Sequence, residues 1–114
     1  MSDRSPKLLI DDILESAKKI QRYTADLDFE RFTLDEKTVD AVARNFEIIG
    51  EAANRLPEDF KEQYPNVEWN RMRGFRNRIV HDYFGIDYEI VWKIIENYLP
   101  ELIAELESFD SSGP

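Results

Sequence analysis

The stretch Thr33-Leu34-Asp35-Glu36-Lys37-Thr38-Val39-Asp40-Ala41-Val42-Ala43-Arg44-Asn45-Phe46-Glu47-Ile48-Ile49-Gly50-Glu51-Ala52-Ala53-Asn54-Arg55-Leu56 decides the fold class. Val39, Val42, Phe46, Ile49, Ala53 and Leu56 alternate three and four apart, which is the spacing of one face of an α-helix. Ala41, Ile48 and Ala52 extend the apolar arc to a second face, so this helix is expected to pack against more than one neighbour. Thr33-Leu34-Asp35-Glu36 reads as a capping box, with the threonine oxygen accepting from a free backbone N–H and the glutamate reaching back.

Upstream, Leu9, Ile13, Ala17, Ile20, Thr24 and Leu27 keep the same spacing and predict a first amphipathic helix over roughly residues 6–27, with Pro6 in its first turn and a loop from Asp28 to Phe32. Downstream, Pro57 closes the long helix and Glu58 to Tyr64 suits a short turn. Pro65-Asn66 then restarts the chain into a helix expected from about Glu68 to Tyr83, which Gly85 stops. Asp87 can cap a last helix carrying Ile90, Val91, Ile94, Ile95, Tyr98, Leu102, Leu106 and Phe109, with Pro100 kinking or dividing it. These elements make an all-α bundle of four main helices plus a short one. With 114 residues and 42% hydrophobic content the chain fits a single domain, residues 1–114, whose ends at about 1–5 and 110–114 lack the pattern and are expected to be disordered.

Charge is distributed unevenly along this bundle. The chain carries a formal −9, yet between Arg71 and His81 stand four of its 15 basic residues and its single histidine, with no acid; everything else sums to −13. An acidic balance argues against broad adhesion to nucleic acid, so any contact with RNA is expected to be local. With no cysteine and one histidine, neither a disulfide framework nor a Cys/His zinc site is available within one chain. Asp11, Asp12 and Glu15, or Glu47 and Glu51, could in principle face a magnesium ion, but carboxylates at helical spacing are usually a solvated face, and no metal is assigned. No apolar run approaches the roughly 18 residues of a membrane span, and the expected location is the cytoplasm.

On a helix turning about 100° per residue, Arg76 falls among the apolar residues Trp69, Met72, Phe75, Ile79, Val80 and Tyr83, whereas Arg71 and Arg78 fall on the open side as solvated charges. An arginine on an apolar face needs an anionic or backbone acceptor. An ion pair with Glu47 or Glu51 would satisfy Arg76; so would a bound phosphate. Asn77 and His81 would share a face with Arg73 on such a helix and could complete a phosphate cradle. His81, in the last turn, would gain proton affinity from the helix dipole.

Arg76-Asn77-Arg78-Ile79-Val80-His81-Asp82-Tyr83 reads R-x-x-x-x-H-x-Y and resembles the signature of the HEPN superfamily, specifically its HepT-like toxins. Arg44 to Ala52, Arg73 to Asn77 and Tyr83 to Asp87 are also similar to that family's phrases, so the resemblance covers nearly the whole chain. It implies a homodimeric, metal-independent endoribonuclease toxin without cofactor, paired with a minimal nucleotidyltransferase antitoxin. Arg76 and His81 would be catalytic, Asn77 would hold the polar position after the arginine, and Tyr83 would be the residue the antitoxin modifies with AMP.

The chemistry fits this resemblance. Metal-free RNA cleavage uses the 2′-hydroxyl as nucleophile and needs a base, an acid and a cation for the charged phosphorane. One histidine is one too few for both proton roles, and a two-fold interface would supply the second copy. AMP on Tyr83 would put bulk and negative charge beside Arg76 and compete with RNA. Two other readings use the same residues: a noncatalytic nucleotide-binding or regulatory subunit of a nucleotidyltransferase complex, and a purely structural role with Arg76 in a buried ion pair and His81 capping a helix.

Overall fold

The computed structural model describes residues 4–75, 80–81 and 85–112. The elements are α1 (Pro6–Thr24), α2 (Phe29–Leu34), α3 (Glu36–Arg55), α4 (Glu58–Glu62), α5 (Trp69–Arg73), β1 (Val80–His81), β2 (Gly85–Ile86), α6 (Tyr88–Lys93), a π-helical turn at Ile94–Tyr98, and α7 (Leu99–Ser112). The class is all-α, as expected; the extended residues form one two-residue antiparallel pairing, Val80 opposite Ile86 and His81 opposite Gly85.

The long helix α3 is the hub. Its buried Val39, Val42, Phe46, Ile49, Ala52 and Ala53 reproduce the seam read from the sequence, and it packs on α1, α5 and α2, which accounts for its wide apolar face. Leu9, Ile13, Ala17 and Ile20 of α1 are also buried, and each large aliphatic or aromatic side chain withdrawn from water contributes about 1.5–3 kcal/mol.

The start of α3 differs from the capping box expected at Thr33. Asp35 is the N-cap, its Oδ1 accepting from the Thr38 N–H at 3.1 Å, while the Thr33 hydroxyl donates to the Glu30 carbonyl. Residues 29–34, expected mostly as loop, form α2 because Asp28 Oδ1 accepts from the Arg31 N–H at 2.8 Å and Phe32 is wholly buried, its ring 5.1 Å from that of Trp92. A cap plus one buried anchor suffices for a short helix that period alone does not reveal.

Lys61 is buried because its ammonium donates to the Ala53 carbonyl at 3.4 Å, in the last turn of α3, and pairs with Glu58 at 3.2 Å. Phe60, Tyr64, Trp69 and Phe109 cluster beside it, with the Tyr64 and Phe109 rings 4.3 Å apart and the Trp69 indole N–H donating to the Tyr64 carbonyl at 3.1 Å. This cluster fixes the start of α5 against the end of α7.

Of the helix expected from Glu68 to Tyr83, the described residues comprise α5 at Trp69–Arg73, a helical Phe75 and an extended Val80–His81; residues 76–79 and 82–84 lie outside them. Gly74, a poor helix former, caps α5, its N–H bonding back to the Asn70 carbonyl at 3.1 Å. Val80, a β-branched residue, pairs with β2, where Gly85 adopts a left-handed φ of 75° that favours glycine. At the ends of the described chain α7 runs to Ser112, and Ser5 Oγ caps α1 by accepting from the Leu8 N–H.

Candidate functional site

Glu47, Gly50, Glu51 and Asn54 recur at helical spacing on one face of α3, and Asn70, Arg73 and Gly74 do the same at the end of α5. Together they line an open groove of about 480 Å³. The helices approach closely because position 50 has no side chain: a Cβ there would stand 3.1 Å from the Met72 carbonyl oxygen. Gly50 was not singled out as a sequence feature. Its signal is a glycine in mid-helix, costing roughly 1 kcal/mol relative to alanine, which calls for a packing reason.

Arg73 is exposed; its Nη1 donates to Asn70 Oδ1 at 3.3 Å, and among the described residues it pairs with no carboxylate. Glu47 stands 3.8 Å from Arg44 on the same helix. Phe75, immediately before Arg76, is wholly buried. Its ring meets Phe46 edge-on at 5.1 Å and Tyr98 at 5.9 Å, both at 76°. Two edge-to-face contacts from different helices hold the chain where the basic segment begins.

Arg71 corrects the expectation of a solvated charge. Its guanidinium lies 4.0 Å from the Tyr98 ring centroid and its Nη1 is 3.0 Å from Glu68 Oε2, while its Nε is buried without a hydrogen-bond partner. The planar cation is stacked on the phenol face. Burial raises the Tyr98 pKa far above its ordinary 10.0; the Glu68 carboxylate adds to that shift and Arg71 opposes it. Tyr98 is therefore a neutral packing element at physiological pH.

Of the residues read as functional from the sequence, Arg73 lines the groove, and His81 is described through its backbone, which pairs opposite Gly85. Arg76, Asn77 and Tyr83 lie outside the described residues. The shared face expected for Arg73, Asn77 and His81 assumes one continuous helix; the His81 backbone is extended, and Asn77 lies outside the described residues. Asp11, Asp12 and Glu15 stand 3.7, 2.7 and 3.3 Å from Lys7, Arg4 and Lys19 respectively, and no group of metal-ligating side chains occurs among the described residues. No helix among those residues is long and apolar enough to cross a membrane.

Comparison with known proteins agrees with these features. The profile of the family described as "Ribonuclease HepT-like" matches residues 13–109. The chain is 45% and 44% identical over 107 residues to two Methanocaldococcus jannaschii proteins named as candidate RNases, covering 94% of this chain and 88% and 98% of theirs. It is 39% identical over 104 residues to a protein of Thermococcus cleftensis named "Probable ribonuclease HepT", covering 91% of this chain and 94% of that one. No solved structure matches. With a family profile covering α3, the groove and the basic segment after α5, the chain belongs to the HepT-like ribonuclease family.

Proposed function

We propose that this chain is a metal-independent endoribonuclease toxin of a toxin–antitoxin pair, acting as a homodimer and silenced by AMP transfer to Tyr83 from a nucleotidyltransferase antitoxin. The observation that carries the reading is the phrase Arg76-x-x-x-x-His81-x-Tyr83 in a chain of the HepT-like ribonuclease family. Support also comes from Arg73, a groove-lining cation without a carboxylate partner among the described residues, three positions before Arg76.

In this reading a base removes the 2′-hydroxyl proton, the 2′-oxygen bonds to phosphorus, and the bond from phosphorus to the 5′-oxygen breaks as an acid protonates the leaving oxygen. The products are a 2′,3′-cyclic phosphate and a 5′-hydroxyl end. His81 from each of two subunits supplies the base and the acid, Arg76 stabilises the charged phosphorane, and Arg73 and Asn77 hold flanking phosphate. An AMP group on Tyr83 adds negative charge to the same cleft and excludes RNA.

The test is RNA cleavage in EDTA together with intact mass, for protein expressed alone, protein co-expressed with a partner nucleotidyltransferase, and His81→Ala and Arg76→Ala variants. Metal-independent cleavage that is lost in both variants, and lost when the mass rises by AMP units at Tyr83, is the expected result. Absence of cleavage by verified unmodified dimer overturns the nuclease reading and favours a noncatalytic nucleotide-binding subunit.

A further inference from the structure

The groove between α3 and α5 is lined, among the described residues, by charged and amide side chains and glycines, where most small-molecule sites are lined by apolar side chains. Among the described residues that line it none is aromatic, and two of them, Gly50 and Gly74, bring backbone rather than side chain. What it offers instead is hydrogen bonding: the amides of Asn54 and Asn70, the carboxylates of Glu47 and Glu51, and the Arg73 guanidinium. Among the described residues, exposed Asn54 makes no side-chain hydrogen bond, and Arg73 gives one hydrogen bond to Asn70 and makes no ion pair. The volume of about 480 Å³ is within the range of small-molecule sites, roughly 300 to 1,000 Å³.

The mixture of charges gives the groove a polarity. Carboxylates repel phosphate, so phosphate belongs at Arg73, and what lies against Glu51 must present donors. A base edge with an exocyclic amine does so: adenine pairs a donor with a ring acceptor, which matches a side-chain amide, and guanine and cytosine also carry amines that a carboxylate can accept from. Uracil has two carbonyls flanking one N–H and no exocyclic amine, so against the acceptor-only Glu51 carboxylate its carbonyl oxygens meet acceptor with acceptor, whereas a side-chain amide, being donor and acceptor, pairs with any of the four bases.

We propose that the α3/α5 groove is a base-reading subsite for RNA, in which the Glu51 carboxylate selects a base bearing an exocyclic amine over uracil, Asn54 and Asn70 hold the base edge, and Arg73 holds its phosphate. This deepens the nuclease reading and rests on it for the claim that the ligand is RNA.

The test measures binding of wild-type protein to 2′-fluoro RNA hexamers by fluorescence anisotropy. These lack the attacking hydroxyl, so binding is read apart from cleavage. Oligo-A, oligo-C and an alternating G/A hexamer are each expected to bind about tenfold more tightly than oligo-U. Glu51→Gln should shrink that gap to about threefold or less, Asn54→Ala and Asn70→Ala should weaken binding of all four hexamers, and Arg73→Ala should weaken all four alike. Equal affinities in the wild type, a gap unchanged by Glu51→Gln, or no binding of any hexamer overturns the proposal. Cleavage of mixed-sequence RNA, run in parallel, separates the two readings: cleavage without base preference removes the subsite and keeps the nuclease, and base-selective binding without cleavage does the reverse.

Discussion

A Cβ at Gly50 would stand 3.1 Å from the carbonyl oxygen of Met72, closer than side-chain carbons ordinarily sit to a backbone oxygen. Met72 is wholly buried, so its carbonyl has little room to yield. Gly50→Ala should gain roughly 1 kcal/mol of helix propensity and lose more in displacing α5, for a net destabilisation of about 1 kcal/mol by urea unfolding. RNA cleavage should fall further than the stability loss explains, since the displaced element leads into Arg76. Unchanged stability and activity would show that α5 shifts freely.

Phe75 is held edge-on by Phe46 and Tyr98. Phe75→Leu keeps an apolar group there but loses both ring contacts, and about 1–3 kcal/mol of stability is expected to go with them. Thermal unfolding measures the loss, and a shift in Tm below about 2 °C would mean the aromatic stack is dispensable.

Arg71 and Arg73 are two residues apart and should respond in opposite ways. Arg71→Met retains the stem that covers Tyr98 but removes the stacked cation, with an expected loss of about 0.5–1 kcal/mol and little change in RNA affinity. Arg73→Met should leave stability unchanged and weaken RNA binding with a shallower salt dependence. Salt titration of binding on both variants distinguishes a packing arginine from a phosphate-binding one.

Tyr98 gives a pH dependence whose sign is fixed. Its folded pKa lies above the unfolded value of 10.0, so the folded state keeps the proton after the unfolded chain can release it. The stability it contributes is fully present below that value and is lost as pH rises beyond it. Denaturant unfolding from pH 8 to 11 should show stability falling above pH 10, and Tyr98→Phe should flatten that fall while lowering stability modestly at pH 8.

Apolar periodicity revealed α1, α3 and the last helical run because each carries an uninterrupted buried stripe. It missed α2, where one buried ring and an aspartate cap do what a stripe does elsewhere. It carried the helix through Val80 and His81, which are extended, because these two fit a helical wheel as readily as a strand and two extended residues have no period to detect. The candidate site was half legible. The motif Arg76, His81, Tyr83 identified the family, whereas the groove depends on Gly50, Asn54 and Asn70, whose juxtaposition arises from two helices meeting and from no local spacing. Arg71 was misread for a related reason: the Tyr98 face that stacks on it is 27 positions away.

The π turn at Ile94–Tyr98, closed by the Leu99 N–H bonding to the Ile94 carbonyl, acts as a phase corrector. Along a straight α-helix, buried Val91, Ile94 and Ile95 would centre near 350° and buried Leu99, Leu102, Ile103 and Leu106 near 70°, a drift of about 80° that would swing the second group off the core. A turn holding one residue more than an α turn brings the two groups back into line. It also sits just before Pro100, which has no N–H for the Glu96 carbonyl four residues back. Chain length at this point is therefore a free variable of the fold. Removing exposed Asn97 together with Pro100→Ala should leave an unbroken α-helix with its apolar groups still aligned and a protein that still folds, whereas deleting one residue in mid-α3 would misphase everything beyond it.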